Sequence, residues 1–238
     1  MGRKNKAHEA RRGEILDAAW KLFTERGYEG TTVASIIDAL GISKGTFYHY
    51  FQSKEQVLDA ISDRLGQEPL SLLQAVVDDP SLRAGAKLDQ FMRVARQSRL
   101  SRVDAVVAVA RVLYREENLI IRHKVNARLT ALTRPLLTQI MDQGIQEGAF
   151  QVSNADEASN VIWLLSESFA DQQMQTLLGP LSNDQKVAAM VQRAQFAVES
   201  LERILGMREQ TLTRPSEQML RLFVNAVATA RQPGCDSA

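Results

Sequence analysis

Apolar residues recur at spacings of three and four along most of the 238-residue chain, and no convincing stretch alternates with a period of two. Such a pattern predicts an all-α protein. Between Glu9 and Arg26, Ile15, Ala19, Leu22 and Phe23 share one helical face, and Gly27 is placed to stop the helix. Thr31 and Thr32 offer N-caps to a second helix with Val33, Ile36, Ile37 and Leu40 on one side. Gly41 interrupts, and a very short third helix is expected from Ser43 to Phe51. Ser53 with Gln56 reads as a capping box for a fourth helix carrying Val57, Leu58, Ile61 and Leu65. Longer amphipathic helices are expected over 82–98, 101–116, 118–147, 154–178, 182–205 and 215–231. Residues 66–81 read as a connection whose apolar middle makes a helical turn or two, and Pro135 as a kink or break within 118–147. On this reading the chain divides into an N-terminal domain, 1–65, and a helical body, 66–238.

The second and third helices, joined through Leu40-Gly41-Ile42-Ser43, form a helix-turn-helix pattern. Glycine supplies the positive φ of a tight turn, Ile42 anchors it, and Ser43 caps the third helix. Phe47 and Phe51, four residues apart, meet the apolar need of that helix. Lys44, Gly45, Tyr48 and His49 are then left on the outer side, with Thr46 and Tyr50 flanking. An outward tyrosine brings a hydroxyl for phosphate and a ring for sugar or a thymine methyl. Lys44 suits a guanine edge, and Gly45 admits close backbone approach to a groove. Tyr50 reads equally as a half-buried packing ring. Lys54, in the first turn of the fourth helix, opposes the helix dipole unless a phosphate sits there.

Composition alters this picture little. Hydrophobic content of 45% and charged content of 24% are ordinary for a globular chain, and the net charge of +1 points to no partner. The distribution says more: Arg3, Lys4, Lys6, Arg11 and Arg12 face a single acid, Glu9, within the first twelve residues, a basic arm suited to phosphate contact. Cys235, the one cysteine, cannot form an internal disulfide, and neither a signal peptide nor a membrane span is read. The expectation is a cytoplasmic protein with no membrane association.

Residues Ile15 to Ile61 closely resemble the N-terminal domain of the tetracycline-repressor (TetR) family. The shared landmarks are Phe23, Gly27 and Tyr28, then Thr32-Val33, Gly41-Ile42-Ser43, Gly45-Thr46-Phe47-Tyr48, Phe51 and Lys54. Ile37 and Leu40 depart from it, standing where the family often carries alanines. The resemblance implies an all-helical homodimer with an N-terminal DNA-binding domain and a variable C-terminal domain for ligand binding and dimerisation. It also implies repression of transcription until a small molecule binds. By matching position, Thr32, Ser43, Lys44, Gly45, Thr46, Tyr48, His49, Tyr50 and Lys54 take the DNA-contact role on a palindromic operator.

Within 182–205, Val187, Val191, Ala194, Val198, Leu201 and Leu205 keep a heptad spacing. Ile162 and Phe169 stripe the preceding helix. The resemblance favours a four-helix dimer interface built from this pair, with Ile162, Phe169, Val187, Val191, Ala194, Val198 and Leu201 at the seam. Phe91, Met92, Arg96, Tyr114, Trp163 and Glu167 are candidate pocket residues, where Arg96 would suit an acidic effector and Glu167 a cationic one. Asp142 to Phe150, "DQGIQEGAF", resembles a common family passage that marks architecture rather than chemistry.

An enzyme would need a convergent site, and the sequence offers none. His8, His49 and His123 lie far apart, and no nucleophile elbow, Walker loop or dinucleotide fingerprint is present. No metal or cofactor is expected. The alternative to a ligand-released repressor is a DNA binder answering to a protein partner, or acting without a small-molecule effector.

Overall fold

The computed structural model describes residues 2–115, 118–209 and 211–229. Cys235 and the side chains of Arg3 and Lys4 lie outside the described residues. Ten α-helices, and no strand, are found among the described residues: α1 (Gly2–Arg26), α2 (Val33–Leu40), α3 (Lys44–Tyr50), α4 (Lys54–Asp78), α5 (Ala84–Ser101), α6 (Val103–Leu113), α7 (Leu119–Gln146), α8 (Ala155–Leu178), α9 (Asn183–Ile204) and α10 (Glu217–Thr229). They form two compact units, Met1–Glu68 with Val112–Ala131, and Pro69–Arg111 with Leu132–Ala238.

Two helices run further than the periodicity suggested, and a third passes unbroken through its proline. α1 begins at Gly2 rather than Glu9, so the basic arm is helical. Its first residues carry no apolar stripe to announce a helix; among the side chains described, the first buried one is Ile15. α4 continues through the expected 66–81 connection to Asp78 with Pro69 inside it. The apolar residues beyond the proline, Leu73, Val76 and Val77, keep helical spacing and are buried in the core of the second unit. Their burial outweighs the hydrogen bond that Pro69 cannot donate. α7 likewise runs as one element past Pro135, with Leu136, Leu137, Ile140 and Met141 buried just beyond.

In the first unit the buried side chains include Ile15, Leu16, Ala19 and Phe23 of α1, Ile36 of α2, Phe47 of α3, and Val57, Leu58 and Ile61 of α4. Ile121 and Val125 are the buried residues of α7 here. Ion pairs tie α4 to α1 and α7. Arg64 Nη2 lies 2.8 Å from Asp17 of α1, and Arg128 of α7 makes a fork on Asp63, with bonds of 2.6 and 3.0 Å.

In the second unit α9 packs between α8 and α10. The main core gathers Leu88 and Phe91 of α5, the α7 residues past Pro135, Ile162 of α8, and Val198 and Leu201 of α9. Glu202 is buried and accepts from the Leu212 backbone N–H at 2.8 Å, with Arg214 at 3.4 Å, which pins the connection leading to α10. The passage "DQGIQEGAF" is structural. Glu147 accepts from the Ala84 N–H at 3.0 Å and so caps α5, whose own N-cap residue, Arg83, makes no side-chain cap bond. Gly144 lies flat against the buried Phe150 ring, where a Cβ would fall 1.9 Å from a ring carbon.

Gly144→Ala is therefore expected to lower stability by about 1–3 kcal/mol through overpacking. Urea unfolding monitored by circular dichroism checks this, and the midpoint should fall.

Candidate nucleic-acid interface and effector cavity

The helix-turn-helix is assembled by local hydrogen bonds. Thr32 caps α2: its hydroxyl accepts from the Ser35 N–H at 3.1 Å, and the Ser35 hydroxyl accepts from the Thr32 N–H at 3.1 Å. Thr31, the other candidate cap, is buried instead and donates its hydroxyl to the Gly27 carbonyl. α2 ends at Gly41 in the left-handed region (φ 60°), where the Gly41 and Ile42 N–H groups return to the carbonyls of Asp38 and Ile37. Ser43 then starts α3 by accepting from the Thr46 N–H at 3.0 Å.

Phe47 is fully buried and Phe51 nearly so. With that face fixed, Lys44, Gly45, Tyr48 and His49 are exposed, and Thr46 and Tyr50 are half-buried. Lys44 Nζ lies 5.9 Å from the centre of the Tyr48 ring, which is 37% exposed. Gly45 is informative because the fold does not demand it. A Cβ there would meet only the Ser43 hydroxyl at 3.8 Å.

Two residues of α1 join this surface: His8, to which the sequence pattern gave no role, and Arg12 of the basic arm. The His8 ring lies 4.5 Å from that of Tyr50 and 5.7 Å from that of His49, and the Arg12 guanidinium sits 5.3 Å over the Phe51 ring. Arg12 falls within the expected Glu9–Arg26 helix, whereas His8 joins α1 only because that helix begins at Gly2. Tyr50 thus serves as a packing ring toward α1.

Lys54 has a different setting from the one its sequence position suggested. Its side chain is 17% exposed; Nζ donates to the Tyr28 carbonyl at 2.8 Å and lies 4.1 Å over the Tyr28 ring, with Glu29 at 4.0 Å. Its unfavourable place in the helix dipole is offset inside the chain. Tyr28 also donates to Glu55 at 3.0 Å, and Lys124 of α7 lies 4.6 Å from its ring centre. Burial, then the bond to Glu55, pushes the Tyr28 phenol well above its usual range, while Glu55 is held below its own, chiefly by hydrogen bonds from its backbone and from Tyr28.

A family profile described as "Bacterial regulatory proteins, tetR family" matches residues 15–61, the segment just described. The HTH-type transcriptional repressor KstR2 of Rhodococcus jostii is 32% identical over 148 residues, covering 59% of this chain and 68% of the relative. The fatty acid metabolism regulator protein of Bacillus subtilis is 30% identical over 137 residues, covering 57% and 68%. The chain belongs to the tetR family. A crystal structure of a tetR-family bacterial regulatory protein from Rhodococcus RHA1 shares the fold, with a TM-score of 0.52 and 23% identity over 83% of this chain and 98% of that one. This tetR-family chain is a DNA-binding transcriptional regulator.

The second unit of this tetR-family protein corrects the expected seam. Ile162, Val187, Ala194, Val198 and Leu201 are buried within the subunit's own core. Phe169 and Val191 are half-buried. The heptad spacing marks the inward face of α9. The outward face of the pair carries Val161 (43% exposed), Leu164 (56%) and Phe196 (59%), and the Phe196 ring meets that of Phe169 edge-on at 6.2 Å.

A cavity of about 200 Å³ opens among α5, α8 and α9. Four of the six candidate pocket residues line it, namely Phe91, Met92, Arg96 and Trp163; the lining also includes Arg99, Ser166, Phe169 and Gln173. Glu167 is not among the lining residues. Tyr114 belongs to the first unit, with Arg122 4.6 Å over its ring. Arg99 was legible in outline, because it follows Arg96 by three residues on the same face of α5.

Lys54→Ala removes a charged donor from the Tyr28 carbonyl and a cation from its ring. We expect a stability loss of about 1.5–3 kcal/mol, read by chemical unfolding. The salt dependence of DNA binding should change by less than the one unit that loss of a phosphate contact gives.

Proposed function

We propose that this chain is a homodimeric repressor that reads a palindromic operator through the outer face of α3 and leaves it when a small molecule enters the α5–α8–α9 cavity. The observation that carries the DNA-reading part is Gly45 within the exposed set Lys44, Tyr48 and His49. No packing need accounts for a helical glycine there, whereas close approach to a groove does. Lys44 at the start of α3 reaches a base edge, and the hydroxyls of Tyr48 and Thr46, with Arg12 and the basic residues of α1, meet phosphates. Lys54 orders the domain rather than touching DNA.

Dimerisation runs through the outward stripe of Val161, Leu164 and Phe196. A second copy would cover these exposed apolar side chains, and two α3 helices about 34–36 Å apart would then enter successive major grooves. The protein acts in the cytoplasm as a regulator, not as an enzyme; its relatives carry the names of regulators. Among the described residues no helix is long and apolar enough to cross a membrane.

Gly45→Ala separates recognition from folding. Alanine in an exposed helix should leave stability unchanged or raise it by up to about 1 kcal/mol. Operator affinity, measured by fluorescence anisotropy, should nevertheless fall about tenfold or more, some 1.4 kcal/mol. Unchanged affinity would place the DNA contact elsewhere.

Leu164→Glu and Phe196→Glu should each yield folded monomers in sedimentation and abolish tight operator binding. Val198→Glu, by contrast, should unfold the chain, because that position is internal. A stable dimer in both outward variants would move the interface.

A further inference from the structure

The cavity carries a chemical signature that narrows its occupant. Its walls are apolar and aromatic, with Phe91, Trp163 and Phe169 among them, and its lining holds two guanidinium side chains and no carboxylate. We infer that the effector is a small organic carboxylate: an apolar ring, or an alkyl chain of similar volume, enclosed by the walls, with its carboxylate on Arg96. This rests on the reading of the cavity as the effector site.

Four observations carry it. Arg96 donates to the Thr213 carbonyl at 3.0 Å, a neutral acceptor that occupies one of its five N–H groups. The remaining fork suits a carboxylate bidentately. Arg96 is half-buried, and burial acts against its charge, with Arg93 and Arg99 adding repulsion and Asp89 opposing them. An arriving anion relieves both effects, whereas an arriving cation worsens them. Glu167, the group that would have favoured a cationic effector, does not reach the lining. Size sets the scale: about 200 Å³ exceeds the roughly 150 Å³ of an engineered apolar cavity that takes up benzene. It falls below the roughly 300 Å³ at which drug-sized sites begin.

The experiment titrates the full-length protein with phenylacetate, phenylacetamide, phenethylamine and octanoate by calorimetry. The carboxylates should bind at least about tenfold more tightly than the amide, as a charge-assisted pair implies, and the amine most weakly. In Arg96→Gln the preference of acid over amide should fall to about unity while the amide affinity stays within about twofold. If Arg96→Gln unfolds for want of its Thr213 contact, Arg96→Lys keeps the charge and should keep a reduced preference for the acid. Glu167→Gln should change nothing. Amide or amine binding as tightly as acid, or no binding by any of the four probes, would overturn the inference. Anisotropy on operator DNA is read separately. Selective carboxylate binding that leaves DNA affinity unaltered would uphold the chemistry of the cavity and overturn ligand-released repression instead.

Discussion

Seven residues of helix cannot hold themselves together in water, since isolated helices shorter than about 12–15 residues are marginal at best. α3 exists because Phe47 is wholly buried and Phe51 nearly so, and because Ser43 satisfies an orphan N–H at its start. That one apolar seat determines which way every other side chain of α3 points. Lys44, Gly45, Tyr48 and His49 are outward as a geometric consequence, not by separate arrangement. The surrounding elements keep the seat rigid: the left-handed Gly41 sets the angle of entry, the Thr32–Ser35 capping pair fixes α2, and His8 and Arg12 of α1 lie against the far aromatic rings.

Tyr28 has a comparable role at the end of α1. It receives the Lys54 ammonium on its carbonyl and over its ring, donates a hydrogen bond from its hydroxyl to Glu55, and has Lys124 close to both ring and hydroxyl. A residue just past the end of α1 thereby joins α1, α4 and α7. The fork of Arg128 on Asp63 joins α4 to α7 a second time. Both α4 and α7 continue along the chain into residues of the second unit, so any coupling between effector and DNA has covalent paths through these helices, measured by a free energy that acts equally in both directions.

Much of this is legible in the sequence because it depends on local chemistry. The turn residues, the caps and the inward pair Phe47 and Phe51 follow from spacing and side-chain type alone. The illegible part depends on what lies opposite. The heptad of α9 shows that Val187, Ala194, Val198 and Leu201 form an apolar face, yet periodicity cannot say whether that face meets its own subunit or a second one. It meets its own, and the outward stripe is shorter and interleaved with polar residues. Pro69 and the polar start of α1 mislead for a related reason: a helix that lacks a local signal persists when flanking residues bury well. The intrachain partner of Lys54 is not legible in local spacing, because it is the carbonyl of a residue 26 positions earlier. Of the pocket residues, those on α5 and Trp163 on α8 converge, whereas Tyr114 belongs to another unit and Glu167 is not in the lining.

The central claim is that the face of α3 left over by Phe47 reads DNA as one half of a two-fold pair. Selection of bound duplexes from a random-sequence pool by the full-length protein tests it most directly. The account predicts enrichment of an inverted repeat whose half-sites are centred about one helical turn, or a whole multiple of it, apart. Enrichment of no sequence, or of a lone unrepeated site, would contradict it.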